Sequence, residues 1–330
     1  MTDKTKNLFN LLMRVTVSAA LLFYIFSRID RERTAEVLRS ANLTYIVYAL
    51  VVFCIIYVFI LIRWFIFIKA LGLTVTTFNV VRYFLVGLFG NLFLPTAIGG
   101  DLLKTVGLCR ETSQKARVVA SVLLDRLSGF TAVAIVATVA YAIGFRMIDD
   151  KTLIIPVTIL GGALFLLCAV LFNEKIYSFG CRIFNPFPKI KQSLMNLHYD
   201  IKLLNHNRVE GFKAIGVSCV CQVTYSFVFY LMAKGLHQEI DLIYFLIFTP
   251  FLCVAASFPS IGGLGVREAG AAYLFAKIGV ESGVAVSLSL INFLFMIVTG
   301  LIGGAFYVLT LSSGRVQCDP SNAGTDSKKA

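Results

Sequence analysis

Long apolar runs alternate with short polar ones along this chain, and the apolar runs are longer than the buried helices of a soluble domain. Stretches at about 8–27, 43–62, 118–145, 152–172, 211–234 and 283–311 each reach the roughly 20 residues that carry an α-helix across a hydrocarbon core. They predict six full membrane spans. Two further apolar stretches, 83–98 and 242–258, are shorter, and each runs into a proline followed by paired glycines. Proline removes a backbone donor and disrupts the preceding turn, while glycine permits a sharp reversal. These two stretches predict re-entrant or broken helical hairpins that enter and leave on one side. The expected fold is therefore an all-α polytopic membrane protein, six spans plus two broken hairpins.

The order of elements repeats. Residues 8–145 run span, span, broken segment, span, and residues 152–311 do the same from the opposite side. That pattern predicts an inverted-topology repeat within one transmembrane domain over 1–312, with a substrate site where the two halves meet. Residues 313–330 form a polar tail expected to be disordered. The first run follows Lys4 and Lys6 like a signal peptide, but Arg14 interrupts it and no small-residue cleavage site follows, so it is expected to be retained.

Composition agrees with a membrane protein: 58% of the 330 residues are hydrophobic and mean hydropathy is +0.83. The net charge of +12 comes from basic residues scattered through short loops, which points to topology and lipid headgroups rather than nucleic acid. The segments assigned to the inside, 1–14, 63–82, 101–117, 173–213 and 312–330, carry 20 lysines and arginines against 7 outside. The expectation is a multi-pass protein of the cell (plasma or inner) membrane with both termini cytoplasmic. An amphipathic helix on the inner leaflet is expected within 173–210, which is basic and aromatic. Cys54, Cys168, Cys219, Cys221 and Cys253 lie inside apolar runs and His198, His206 and His237 in loops, so no metal site or cofactor is expected.

The candidate chemistry sits at the breaks. "NLFLPTAIGGDLLK" (91–104) and "SFPSIGGLGVREAG" (257–270) share a proline before Gly-Gly and a charged residue opening the next helix. Irregular backbone at membrane depth is tolerated only where protein or a wet cavity satisfies it, so the breaks imply a polar chamber. Helix N-termini aimed into it would favour an anion by about 0.3–1 kcal/mol, up to about 2 when partly buried. A charge at the bilayer centre costs about 2.5–3.5 kcal/mol, so cationic side chains are also needed. Arg126 and Arg267 are the candidates for binding a phosphate-bearing headgroup. Asn91, Pro95, Gly99, Gly100, Asp101, Pro259, Gly262, Gly263 and Gly265 would shape the cavity and its half-helix termini. Asp125 and Glu268 are candidates for ion pairing or coupling. The structural alternatives are an Arg126 pair with Asp101 or Glu268, an Arg267–Glu268 pair closing the second turn, Asp101 as a helix cap, and interhelical hydrogen bonds from Asn91 and Asn292. Gly161-Gly162 and Gly303-Gly304 are assigned to helix packing.

At the Asn…Pro…Gly-Gly-Asp block, the following "ASVLLDRLSG" and the Pro…Gly-Gly-x-Gly-x-Arg-Glu block, the sequence resembles the lysylphosphatidylglycerol synthase transmembrane-domain family, also called the flippase-like domain family. The resemblance covers about residues 8–312. It implies a membrane domain that moves lipids or lipid-linked intermediates between leaflets. Its best-known members carry a fused soluble aminoacyltransferase; only a short polar tail follows the last span here, so translocation without synthase activity is expected. Three functions remain open on the residues: an anionic-lipid translocase, a lipid-modifying transferase with Asp101 or Glu268 as base, and a small-anion transporter. The expected partner is a membrane lipid, with a separate lipid-synthesis enzyme as a further candidate.

Overall fold

The computed structural model describes residues 36–93, 99–145, 158–159, 161–162, 208–256 and 265–314. Among them eight helices carry the fold: α1 Leu43–Ala70, α2 Thr77–Phe93, α3 Gly99–Arg110, α4 Lys115–Gly144, α5 Arg208–Gly235, α6 Leu242–Ala256, α7 Val266–Ala276 and α8 Ser282–Gly314. Four of these (α1, α4, α5 and α8) are long and apolar enough to cross a bilayer. They hold 28 to 33 residues, or about 42–50 Å at 1.5 Å per residue, more than the ~30 Å hydrocarbon core. The protein is an all-α polytopic membrane protein. The expected spans 8–27 and 152–172 lie outside the described residues except at 158–159 and 161–162, which are helical. Residues 173–207 of the expected loop helix and 315–330 of the tail also lie outside, while 208–210 open α5 and 313–314 close α8.

Both short apolar stretches form helix pairs. The arms α2, α3, α6 and α7 hold 17, 12, 15 and 11 residues, each shorter than the ~20 needed to span. α2 packs on α3 and α6 on α7, so the chain doubles back at each break. Glycine sets how close the first pair comes: a side chain at Gly107 would strike the Tyr83 ring, and one at Gly90 would strike Leu103.

The remaining contacts cross the chain. α1 packs along α5, and the Asn42 amide donates to the Gly235 carbonyl at 2.8 Å where the two helices meet. Asn42 also caps α1, its Oδ1 accepting from the Thr44 amide at 3.0 Å. α2 lies on α8, and α6 lies on α4. Gly300, Gly303 and Gly304 of α8 let α2 approach to backbone contact; side chains there would meet Leu92, the Leu85 carbonyl and the Phe89 ring. Gly303 and Gly304 thus serve packing as the sequence suggested. Among the described residues, a side chain at Gly161 would meet only Thr138 Oγ1 and one at Gly162 would meet nothing within 4 Å. The core between α1, α5, α6, α7 and α8 is aromatic, with Phe53 beside Tyr57, Tyr225 and Phe295, and Phe275 between Phe245 and Phe248.

One boundary differs from the sequence reading. The second span was expected to end at 62, placing Arg63 in an inner loop; α1 instead runs on to Ala70, and Arg63 is buried within it. Lys104, also counted as a loop charge, is buried on α3.

Candidate functional site

α3 starts at the first diglycine. The Gly100 amide donates to Asn91 Oδ1 at 3.0 Å, and any side chain at Gly100 would strike the Gly87 carbonyl and Asn91. This corner lets α3 begin directly against α2. It also means that one free N–H of the half-helix is already taken, and Asp101 occupies its first turn, where a carboxylate offsets the helix dipole. Asp101, Lys104 and Leu108 make the buried face of α3 at helical spacing.

From that face an ion chain runs across three helices. Lys104 Nζ lies 3.0 Å from Asp101 Oδ1 and 3.3 Å from Asp125 Oδ2. Asp125 Oδ1 accepts from Arg63 Nε at 2.7 Å, and Arg63 Nη1 donates to Ser218 Oγ on α5 at 3.2 Å. Arg126 Nε donates to the second oxygen of Asp101. Two carboxylates therefore hold three cations in the order Arg63–Asp125–Lys104–Asp101–Arg126. Lys104 also sits over the indole of Trp64, 4.8 Å from its centroid, and Trp64 Nε1 donates to Ser121 Oγ at 3.2 Å.

The second half-helix closes on itself. Gly265 precedes α7 with φ of +87°, a conformation that favours glycine, and its amide donates to Glu268 Oε2 at 2.6 Å. Glu268 Oε1 accepts from Arg267 Nη2 at 3.0 Å and from Ser289 Oγ at 2.8 Å. Arg267 further donates to Ser289 Oγ at 2.7 Å and to the Ser289 carbonyl at 3.1 Å, with Nη1 donating to Met296 Sδ at 3.5 Å. One N–H at the α7 N-terminus is thus taken by its own first-turn carboxylate.

The two clusters face one cavity of about 410 Å³. Its charged part is lined by Arg63, Asp101, Lys104, Asp125 and Arg126, and its net-neutral part by Gln222, Tyr225, Asn292 and Arg267, whose charge Glu268 offsets. Apolar side chains including Phe53, Ile60, Leu88 and Phe130 complete the wall. Asn91 and Gly100 also line it. Of the residues singled out in the sequence, Asn91, Gly100, Asp101, Asp125, Arg126 and Arg267 therefore come together. Gly99, Gly265 and Glu268 are buried beside the two helix starts. Pro95, Pro259, Gly262 and Gly263 lie outside the described residues. The Arg126 and Arg267 pairings with Asp101 and Glu268 are both present.

The two arginines are not equivalent. The Arg267 side chain is 1% exposed and held by three strong acceptors, whereas that of Arg126 is 37% exposed. Sequence reasoning missed Arg63 and Lys104, the two cations that share Asp125. A signal was available for each: Arg63 is followed by Trp64-Phe65-Ile66-Phe67-Ile68, which continues the apolar run, and Lys104 falls three residues after Asp101.

The model of the family described as "Lysylphosphatidylglycerol synthase TM region" matches residues 11–304. The chain is also similar to the UPF0104 membrane protein PH1989 of Pyrococcus horikoshii, with 25% identity over 292 residues, covering 79% of this chain and 85% of the relative. No solved structure matches it. The chain belongs to the lysylphosphatidylglycerol synthase TM region family.

Proposed function

With that membership as premise, we propose that the protein is a translocase that passes an anionic, phosphate-bearing lipid or lipid-linked intermediate between leaflets. The observation that carries the reading is the cavity itself: charged side chains from both hairpins and from the spans α1 and α4 converge on one chamber within a membrane domain. An ordinary structural ion pair needs one cation per carboxylate. Here Asp101 and Asp125 are each shared by two cations, so an entering anion finds donors it can take over. Arg63, Lys104 and Arg126 bind the phosphate, and Arg267 holds the second hairpin in place. Apolar wall residues leave the acyl chains in contact with apolar surface and lipid.

The packing supports the repeat that alternating access requires. α2–α3 and α6–α7 take corresponding places, each first arm lying on the last span of the other half. Pseudo-repeats over 8–145 and 152–311 rocking against one another would open the chamber to each leaflet in turn. The protein then resides in the cell membrane with both termini cytoplasmic, downstream of whatever enzyme makes its lipid.

The test is flipping of acyl-labelled anionic phospholipid in reconstituted vesicles. Lys104→Ala and Arg63→Ala are each expected to slow it at least about tenfold, as loss of a charge-assisted contact of ~1.5–3 kcal/mol implies. Wild-type rates in both variants would remove the proposal. Mass analysis of the recovered lipid separates transport from transfer chemistry, since a translocase leaves the lipid unchanged.

A further inference from the structure

The neutral half of the cavity contains an unused pair of hydrogen-bonding groups. Asn292 on α8 lines the chamber and is 1% exposed, and among the described residues its Oδ1 has no hydrogen-bond partner. Its Nδ2 donates to the Tyr225 hydroxyl at 3.1 Å. Tyr225 lines the same chamber, and having accepted there, its O–H remains a donor. A buried acceptor left without a partner carries an uncompensated desolvation cost, which a ligand relieves. The pair offers one acceptor and one donor side by side, whichever way the amide is turned. A hydroxyl group satisfies both at once, donating to one and accepting from the other. A quaternary ammonium satisfies neither, and a primary ammonium can only donate.

Charge points the same way. The carboxylate paired with Arg267 in this half is Glu268, and its two oxygens already accept from Gly265, Arg267 and Ser289. Nothing described there is left to neutralise a cationic headgroup. Ser218, bonded to Arg63, and Tyr225 lie seven residues apart on α5, a rise of about 10 Å. A short polar arm attached to a phosphate reaches from one to the other.

Resting on the translocase reading, we infer that the cavity is a two-point site for a hydroxyl-bearing phosphodiester headgroup: the phosphate at Arg63, Lys104 and Arg126, and an uncharged hydroxyl on Asn292 and Tyr225. Headgroups extended by an amino acid or a quaternary amine are excluded by the neutral half.

Trp64 is the protein's single tryptophan and touches Lys104, so its emission reports on the phosphate end. Purified protein in detergent is titrated with glycerophosphoglycerol, with the matching methyl phosphodiester that lacks the hydroxyl arm, and with glycerophosphocholine. Vesicles then carry acyl-labelled phosphatidylglycerol, phosphatidylmethanol or lysyl-phosphatidylglycerol. The hydroxylated diester is expected to bind and to flip at least about tenfold better than the others, a difference of ~1.4 kcal/mol. Asn292→Leu should erase the preference, bringing the phosphatidylglycerol rate down to that of phosphatidylmethanol. Tyr225→Phe, which keeps the ring, should produce the same selective loss and serves if Asn292→Leu does not fold.

Equal handling of the hydroxylated and methyl diesters, or equal slowing of both by the two variants, overturns the two-point site. Preference for the lysyl lipid overturns it as well. Discrimination in the Trp64 titration with no lipid flipped in vesicles retains the site and removes the translocase reading instead. Entry of free glycerophosphoglycerol into vesicles would identify the carried species as the soluble diester rather than the lipid.

Discussion

The two broken hairpins begin from nearly the same sequence chemistry, yet they end in different states. In the second, Arg267, Glu268, Ser289 and the Gly265 amide satisfy one another in a sealed cluster, with Arg267 and Glu268 at 1% and 0% exposure. In the first, Asp101 is shared between Lys104 and Arg126, and Lys104 is shared in turn between Asp101 and Asp125. A closed pair holds a backbone turn; a chain with more donors than it can fully engage can exchange partners with a ligand. The difference teaches that an arginine beside a membrane break is not by itself a binding group. What matters is whether its acceptors are its own.

Substitutions can break this contrast, and the expected losses fall in order. Glu268→Ala leaves the buried Arg267 guanidinium without its carboxylate, and removing one partner of a buried pair costs about 3–5 kcal/mol; thermal unfolding in detergent should show the largest drop of the series. Asp101→Ala strips one acceptor from a chain that retains Asp125, so a smaller loss of roughly 1–3 kcal/mol is expected in the same measurement, accompanied by a clear loss of anionic-lipid flipping. Arg126→Gln removes the half-exposed end of the chain. Its stability should stay within about 1 kcal/mol of the parent, as for exposed pairs, while flipping slows. If Arg126→Gln destabilised the protein as much as Glu268→Ala, the contrast between the clusters would collapse.

The elements legible in the sequence were those governed by backbone chemistry. Runs of apolar residues long enough to span, and proline with glycine where they stop, marked the four long described helices and both hairpins. The end of α1 at Ala70 and the start of α2 at Thr77 fall several residues from where the apolar runs placed them. Arg126 and Arg267, each beside an acid in an otherwise apolar stretch, stood out because apolar neighbours make a charge costly. Arg63 and Lys104 were hidden for the opposite reason. Each sits at the edge of an apolar run, where a basic residue is ordinarily solvated and serves topology. Only the extension of α1 to Ala70 and the folding of α3 back onto α2 turn them inward. Pairing was harder still to read: Asp125 with Arg63 and Ser218 with Arg63 join positions 62 and 155 residues apart, which no local pattern encodes. Asn292 looked like an interhelical bond, and half of its amide is one.

The glycine column of α8 carries a consequence for biosynthesis. Leu85 on α2 meets its partner Gly303 more than two hundred residues later in the chain. At a synthesis rate of about 5–20 residues per second, the first hairpin waits roughly 10–40 s in the membrane before its final neighbour emerges from the ribosome. During that interval its polar corner must be sheltered by early helices, by lipid headgroups or by an insertion factor, and the nascent protein becomes whole only when its last helix slides into place.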